Sequence, residues 1–177
     1  MPDNCQCSHP ALACGAHCHG CSVMNAEAIQ RVSTTIAVLI ERALSSVEGV
    51  TSKVFIGPPS DPASKQAQLV LFPYRLAANS TLHADPARPV VLDIWYLLSI
   101  GTMSVEAVES QVWLGRAMQA LQQVSVLTGP AVDGDQVRLT LEAVTTEELA
   151  HVWALFPNTN YRTSVVYVAS PVRIDHQ

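Results

Sequence analysis

Two strand patterns joined through a capped helix, with almost no residue to spare, constrain this chain more than any other feature. They fill residues 136–175, QVRLTLEAVTTEELAHVWALFPNTNYRTSVVYVASPVRID. Val137, Leu139 and Leu141 alternate with Arg138, Thr140 and Glu142, the period-two signature of a strand with one buried face. Thr145 stands three residues before Glu148, the spacing of a capping box that satisfies free amides at a helix start. Leu149, Val152, Trp153 and Phe156 share one side of the predicted helix, and Pro157 closes it. The following stretch, 161–169, is apolar on both faces around Val165 and Val168, which predicts a strand in the middle of a sheet. None of these residue types points to chemistry; the unit is architectural.

Upstream, residues 25–47 form the cleanest helical pattern. Ile29, Val32, Ile36, Leu39, Ile40, Ala43 and Val47 make one stripe opposite Glu27, Arg31, Thr34, Glu41, Arg42 and Ser45, with Asn25 as cap and Gly49 at the end. A short strand is expected over 51–56, stopped by Gly57-Pro58-Pro59-Ser60-Asp61-Pro62. The next strand covers 67–76, where Pro73 removes a ladder donor and demands an edge or a bulge. A polar loop over 77–89 leads to a central strand over 90–100 (VVLDIWYLLSI), whose one misfit is Asp93. A carboxylate in such a strand needs a partner, and Arg75, Arg116 and Arg162 are the candidates, within the chain in preference to a subunit interface.

Residues 104–124 read as a second long helix with Ser104 as cap. Val105, Val108 and Val112 share one side, whereas Trp113, Ala117, Leu121 and Val124 share another. A helix apolar on two faces touches two things; a sheet on one side and a neighbouring subunit on the other is the expectation. Trp95, Trp113 and Trp153 are expected in the core, Trp113 being the one of the three that a subunit interface would claim. The resulting order is helix, three strands, helix, strand, helix, strand. This predicts an α+β fold, a single domain with a mostly antiparallel or mixed sheet and three helices packed on it, preceded by a Cys/His-rich N-terminal arm.

The chain divides at residue 24. All five cysteines, Cys5, Cys7, Cys14, Cys18 and Cys21, lie in residues 1–24 among His9, His17 and His19. The body, 25–177, therefore owes nothing to disulfides. Close thiol pairs at Cys5/Cys7 and Cys18/Cys21, with Cys14 and His17 between them, supply soft ligands for a tetrahedral zinc ion, which would order an arm that burial cannot. Against this, five cysteines exceed four ligands, and a flexible arm with reduced or later oxidised thiols is the plainer reading.

Composition excludes several classes. The 177 residues are 49% apolar and 14% charged, a charge-poor surface suited to life against other subunits. A net charge of −5 argues against a nucleic-acid partner, which requires a basic face. No apolar run approaches the roughly 18–20 residues of a membrane span, and no secretory signal pattern opens the chain, so assembly in the cytoplasm without membrane insertion is expected. GxSxG, GxxxxGK(S/T) and GxGxxG are all missing from the sequence. Glu147, Glu148 and His151 form E-E-x-x-H on one helix, but no matching pair exists on another, and a solvated face is the better reading. His83 and Asp85 sit in a polar loop without a nucleophile. No enzyme is expected.

The motifs, taken in order, resemble those of a known family. Gly57-Pro58-Pro59, Tyr74-Arg75, Leu92-Asp93-Ile94-Trp95-Tyr96-Leu97, Leu114-Gly115-Arg116-Ala117-Met118, Glu147-Glu148-Leu149 with Val152-Trp153, and Ser170-Pro171-Val172 are similar to the cap, or tail-terminator, proteins of extracellular contractile injection systems, over about 25–175. Pro73 and the cysteine-rich arm depart from the pattern. The resemblance implies a homohexameric ring that closes the distal end of the inner tube and contractile sheath of a phage-tail-like particle and fixes its length. Its partners would be itself and the tube and sheath proteins, in a particle assembled in the cytoplasm and able to leave the cell. The surfaces expected to carry these contacts are the outer face of the second helix and the end of the last strand, by edge addition. The rival reading is a zinc-binding adaptor acting through the arm.

Overall fold

The structure, a computed structural model, describes residues 27–45, 53–82, 89–102, 107–132 and 134–174. Its elements are α1 (Ala28–Ser45), β1 (Val54–Ile56), β2 (Leu69–Ala78), β3 (Val90–Ile100), α2 (Ala107–Gln123), β4 (Val126–Leu127), β5 (Val137–Glu142), α3 (Thr146–Ala154) and β6 (Ser164–Ile174), with short 3-10 turns at Pro62–Gln66 and Pro130–Val132. The order is the expected one, with β4 added. Asn25, Val47, Gly49, Ser104 and Val105 lie outside the described residues, so the two expected caps and the end of the first helix do too.

The six strands form one mixed sheet in the order β1-β2-β3-β6-β5-β4. Only β1 and β2 run parallel; every other pair is antiparallel. Parallel neighbours need a crossover, and the connection after β1 supplies it. Gly57 opens that connection at φ 154°, where a Cβ would also sit 2.7 Å from the Phe55 ring. Asp61 then caps the 3-10 turn by accepting from Ala63 N at 2.8 Å.

β3 and β6 lie at the centre, as their two-sided apolarity predicts. Ile94, Tyr96 and Leu98 of β3 face α1 and α2 together with Tyr167 and Ala169 of β6. Leu97 and Val166 face the other way, against Trp153 and Phe156 of α3. The three helices are therefore split between the two faces. The short α3 covers only part of its side, packing there through Phe72–Phe156 and Trp153–Phe156 ring contacts at 5.6 and 6.0 Å. Its capping box forms as expected: Glu148 N donates to Thr145 Oγ1 at 3.2 Å, and Thr145 N donates to Glu148 Oε2 at 2.7 Å.

Pro73 falls where β1 has already ended, and the β2–β3 register shifts between Pro73 and Arg75. The missing donor thus meets both an open edge and a bulge. Trp113 stays in the core, and the interface alternative for it falls away. It is 3% exposed within the main core, because the stripe with Ala117 and Leu121 turns inward against α1 and the sheet.

Candidate interaction surfaces

The two-faced pattern of α2 has a clear outcome. Leu114, Ala117 and Leu121 are buried with Trp113, while Val108 is 70% and Val112 50% exposed. Gly115, one turn further along, is also exposed and has open space around it. These residues form a smooth apolar ridge with no side chain of the described residues over it. Exposing two valines on one helix face is costly in water unless a partner covers them.

Two sheet edges are available for strand addition. β1 presents Ile56, 39% exposed, but Val54 N is already taken by Glu41 Oε1 at 3.0 Å. At the other end, β4 reaches only Val137 and Arg138, and Leu139 N donates to Ser125 O at 2.8 Å. Beyond that point β5 is open, with Leu141 46% exposed. The expectation for the last strand needs revising in detail. β6 is flanked by β3 and β5, whose pairing ends at Arg138–Ser170. Residues 164–165 and 171–174 keep a side not paired to β5, and at the latter end Arg173 Nη1 donates to Asp135 Oδ1 at 3.1 Å.

Asp93 is placed differently from the expectation. The β3–β6 register shifts between Leu92 and Ile94, and the half-buried carboxylate accepts from Asn79 Nδ2 at 2.8 Å and from the Ser170 hydroxyl. Neutral donors take the role assigned to arginine. Asn79 is held in turn, its Oδ1 accepting from Thr81 N and Leu82 N at 3.1 and 3.0 Å. Arg75 instead lies over the Trp95 ring, 4.3 Å from its centroid. Arg162 is half-buried with Nη1 unpartnered, and burial pulls its pKa below the ordinary arginine value. Sequence reasoning missed Asn79 and Ser170, because their meeting depends on a bulge and on a strand ninety-odd positions away in the chain.

Cys5, Cys7, Cys14, Cys18, Cys21 and His17 lie outside the described residues, as do His83 and Asp85. Glu147, Glu148 and His151 are exposed on α3, and Glu148 is engaged in the capping box. Among the described residues, no group of three or more His, Cys, Asp or Glu side chains could hold a metal, and no described helix is long and apolar enough to cross a membrane. An open groove of about 550 Å³ runs along the outer side of α1, past Gln30, Thr34, Val38 and Arg42 to Pro130; it brings together no reactive pair.

What this geometry defines is a scaffold that presents a ridge, two sheet edges and part of a sheet face. Residues 31–177 match the Pvc16 N-terminal domain, and the chain belongs to that family. No curated protein sequence matches the chain. Among the solved structures that share its fold are two terminators. One is the sheath/tube terminator of PVC, an extracellular contractile injection system, in the extended state, with TM-score 0.57 and 13% identity over 84% of this chain and 57% of that one. The other is the anti-feeding prophage cap, a tube-terminating cap, with TM-score 0.57 and 15% identity over 82% of this chain and 55% of that one. This chain thus spans just over half the length of either neighbour. Both neighbours are structural parts of particles rather than enzymes.

Proposed function

We propose that this chain is the terminator domain that closes the distal end of the tube and contractile sheath in a phage-tail-like injection particle, and so fixes particle length. The observation that carries the reading is the shared fold with a sheath/tube terminator and a tube-terminating cap over more than four-fifths of the chain, in a member of the Pvc16 N-terminal domain family. The mechanism is geometric. A heterologous contact repeated around an axis closes a ring, here a homohexamer matched to a six-fold tube end, with the Val108–Val112 ridge supporting a subunit contact. Tube and sheath proteins are the partners, and the ring assembles in the cytoplasm before the particle leaves the cell. Deleting the gene from a particle-producing strain tests this: electron micrographs should show tubes and sheaths of uncontrolled length. Particles of normal, uniform length would sink the reading.

A second reading rests on the cysteine cluster. In it, Cys5, Cys7, Cys14, Cys18 and Cys21, with His17 as substitute ligand, hold zinc and make the arm a binding adaptor. Native mass spectrometry of protein purified without chelator reads both: about one zinc per chain supports the site, and metal-free protein removes it.

A further inference from the structure

A polar atom buried without a hydrogen bond has lost its water for nothing, so each one calls for an explanation. Among the described residues three such side-chain atoms occur: Gln68 Nε2, Ser99 Oγ and Arg162 Nη1. Gln68 and Ser99 are themselves fully buried, each 0% exposed. Though far apart in sequence, the three share one end of the sheet, where β2 starts, β3 finishes and β6 starts.

The backbone holds these positions together. Gly101 N donates to Gln68 O at 2.7 Å, and Ile100 N donates to Thr163 O at 3.2 Å. Ser99 pairs with Val70 on one side and Ser164 on the other. Neighbouring strands lie about 4.8 Å apart, so Gln68 and Arg162 flank the end of β3 within reach of one small group.

The free atoms also agree in chemistry. Gln68 Oε1 accepts from Lys53 N at 2.7 Å, which fixes the amide and leaves its NH2 as the unused end. A guanidinium only donates, and a serine hydroxyl is able to. Trp153 offers no competition, since its Nε1–H is taken by Ser164 Oγ at 3.1 Å; its ring meets Tyr161, the residue before Arg162, at 5.6 Å and adds an apolar wall. Three donors, one of them cationic and without an ion pair among the described residues, ask for an acceptor carrying negative charge. Water could satisfy the neutral donors, but the buried Nη1 of a guanidinium is answered more strongly by an anionic acceptor, whose hydrogen bond is charge-assisted.

We propose that this end of the sheet is a carboxylate-binding site in which Arg162 supplies the charge and Gln68 and Ser99 the orienting hydrogen bonds. The carboxylate is that of a small free anion or of an acidic side chain on an adjoining copy. The site does not depend on the terminator reading.

The test uses the full chain, with sodium acetate replacing sodium chloride at fixed ionic strength, thermal melting and calorimetry as readouts, and sedimentation velocity alongside. Arg162→Gln and Ser99→Ala are compared with wild type, and Arg138→Gln on the exposed face of β5 is the control. For a free anion, acetate raises the wild-type Tm saturably, Arg162→Gln abolishes the rise, and Ser99→Ala weakens the affinity by roughly ten-fold. For a neighbour's carboxylate, acetate has no effect on an oligomeric wild type, whereas Arg162→Gln sediments as a monomer and Arg138→Gln does not. The proposal is overturned if Arg162→Gln sediments as wild type and neither protein responds to acetate. Should Arg162→Gln fail to fold, Ser99→Ala decides: acetate affinity and sedimentation both unchanged from wild type would overturn the site.

Discussion

The hydroxyls of Ser33 on α1 and Tyr96 on β3 lie 2.9 Å apart, both buried, and join the first helix to the central strand through the middle of the core. The two partners are not equivalent. Ser33 also donates to Ile29 O at 2.9 Å, whereas Tyr96, at 0% exposure, has its hydroxyl bonded to Ser33 alone among the described contacts.

Ser33→Ala should therefore cost more than Tyr96→Phe. The first strands a buried phenol, worth about 1–3 kcal/mol; the second removes both the phenol and its need, at about 1 kcal/mol. Chemical denaturation of both single variants and the double variant measures the difference, and the double should lie close to Tyr96→Phe.

The same pair predicts an alkaline limb of stability. Burial, opposed by the bond to Ser33, pushes the Tyr96 pKa from 10.0 up to about 12. A raised folded value means the unfolded chain ionises first, so this contribution is whole below about pH 10 and lost as pH rises towards 12. Burial shifts Tyr74 and Tyr167 in the same direction. Tyr96→Phe should flatten the fall in Tm between those pH values without abolishing it.

Gly101→Ala should be among the most damaging small substitutions. Its Cβ would lie 1.9 Å from the Ala67 carbonyl oxygen, a backbone atom that cannot swing away, and the Gly101–Gln68 hydrogen bond would be lost with the shift. Destabilisation of more than about 3 kcal/mol is expected, read as soluble yield and Tm.

Thr145→Ala tests the last unit, with an expected loss of about 1 kcal/mol. Hydrogen bonds from the Thr145 backbone and hydroxyl hold the Glu148 carboxyl below its ordinary 4.5. That contribution is present above pH 4.5 and lost as pH falls through the lower folded value. Acid titration of wild type should show a component that Thr145→Ala reduces without abolishing, because the backbone N–H at position 145 still donates to Glu148.

On α2, Val112→Asp and Trp113→Ala should separate assembly from folding. Val112→Asp, on an exposed position, should leave the monomer's unfolding free energy within about 0.5 kcal/mol of wild type and prevent ring formation in sedimentation. Trp113→Ala should cost about 3–5 kcal/mol through the cavity it opens. A Val112→Asp protein that still assembles would clear the ridge of any subunit contact.

How much of this was legible in the sequence depends on whether the signal was local. Alternation in β5, the Thr145–Glu148 spacing, the stripe of α1 and the two-sided apolarity of β3 and β6 each arise from a single element meeting a single environment, so their periods appear in the chain itself. The capping box and the bounds of β3 could be read residue by residue. The motif order pointed to the family for the same reason.

Other features needed the chain to come back on itself. The split of the helices between two sheet faces is set by crossover connections, which leave no period in the sequence. Two apolar stripes on α2 were visible, but which would be buried was not: packing against α1 and β3 drew in Trp113 and left Val108 and Val112 in solvent. Asp93 announced its need for a partner, yet a bulge and a distant strand, not charge, selected Asn79 and Ser170. The unspent donors of Gln68, Ser99 and Arg162 carry no sequence signature at all, because satisfaction is a property of what surrounds an atom. Local periodicity determined the elements; long-range pairing alone decided which polar groups were met and which were left waiting.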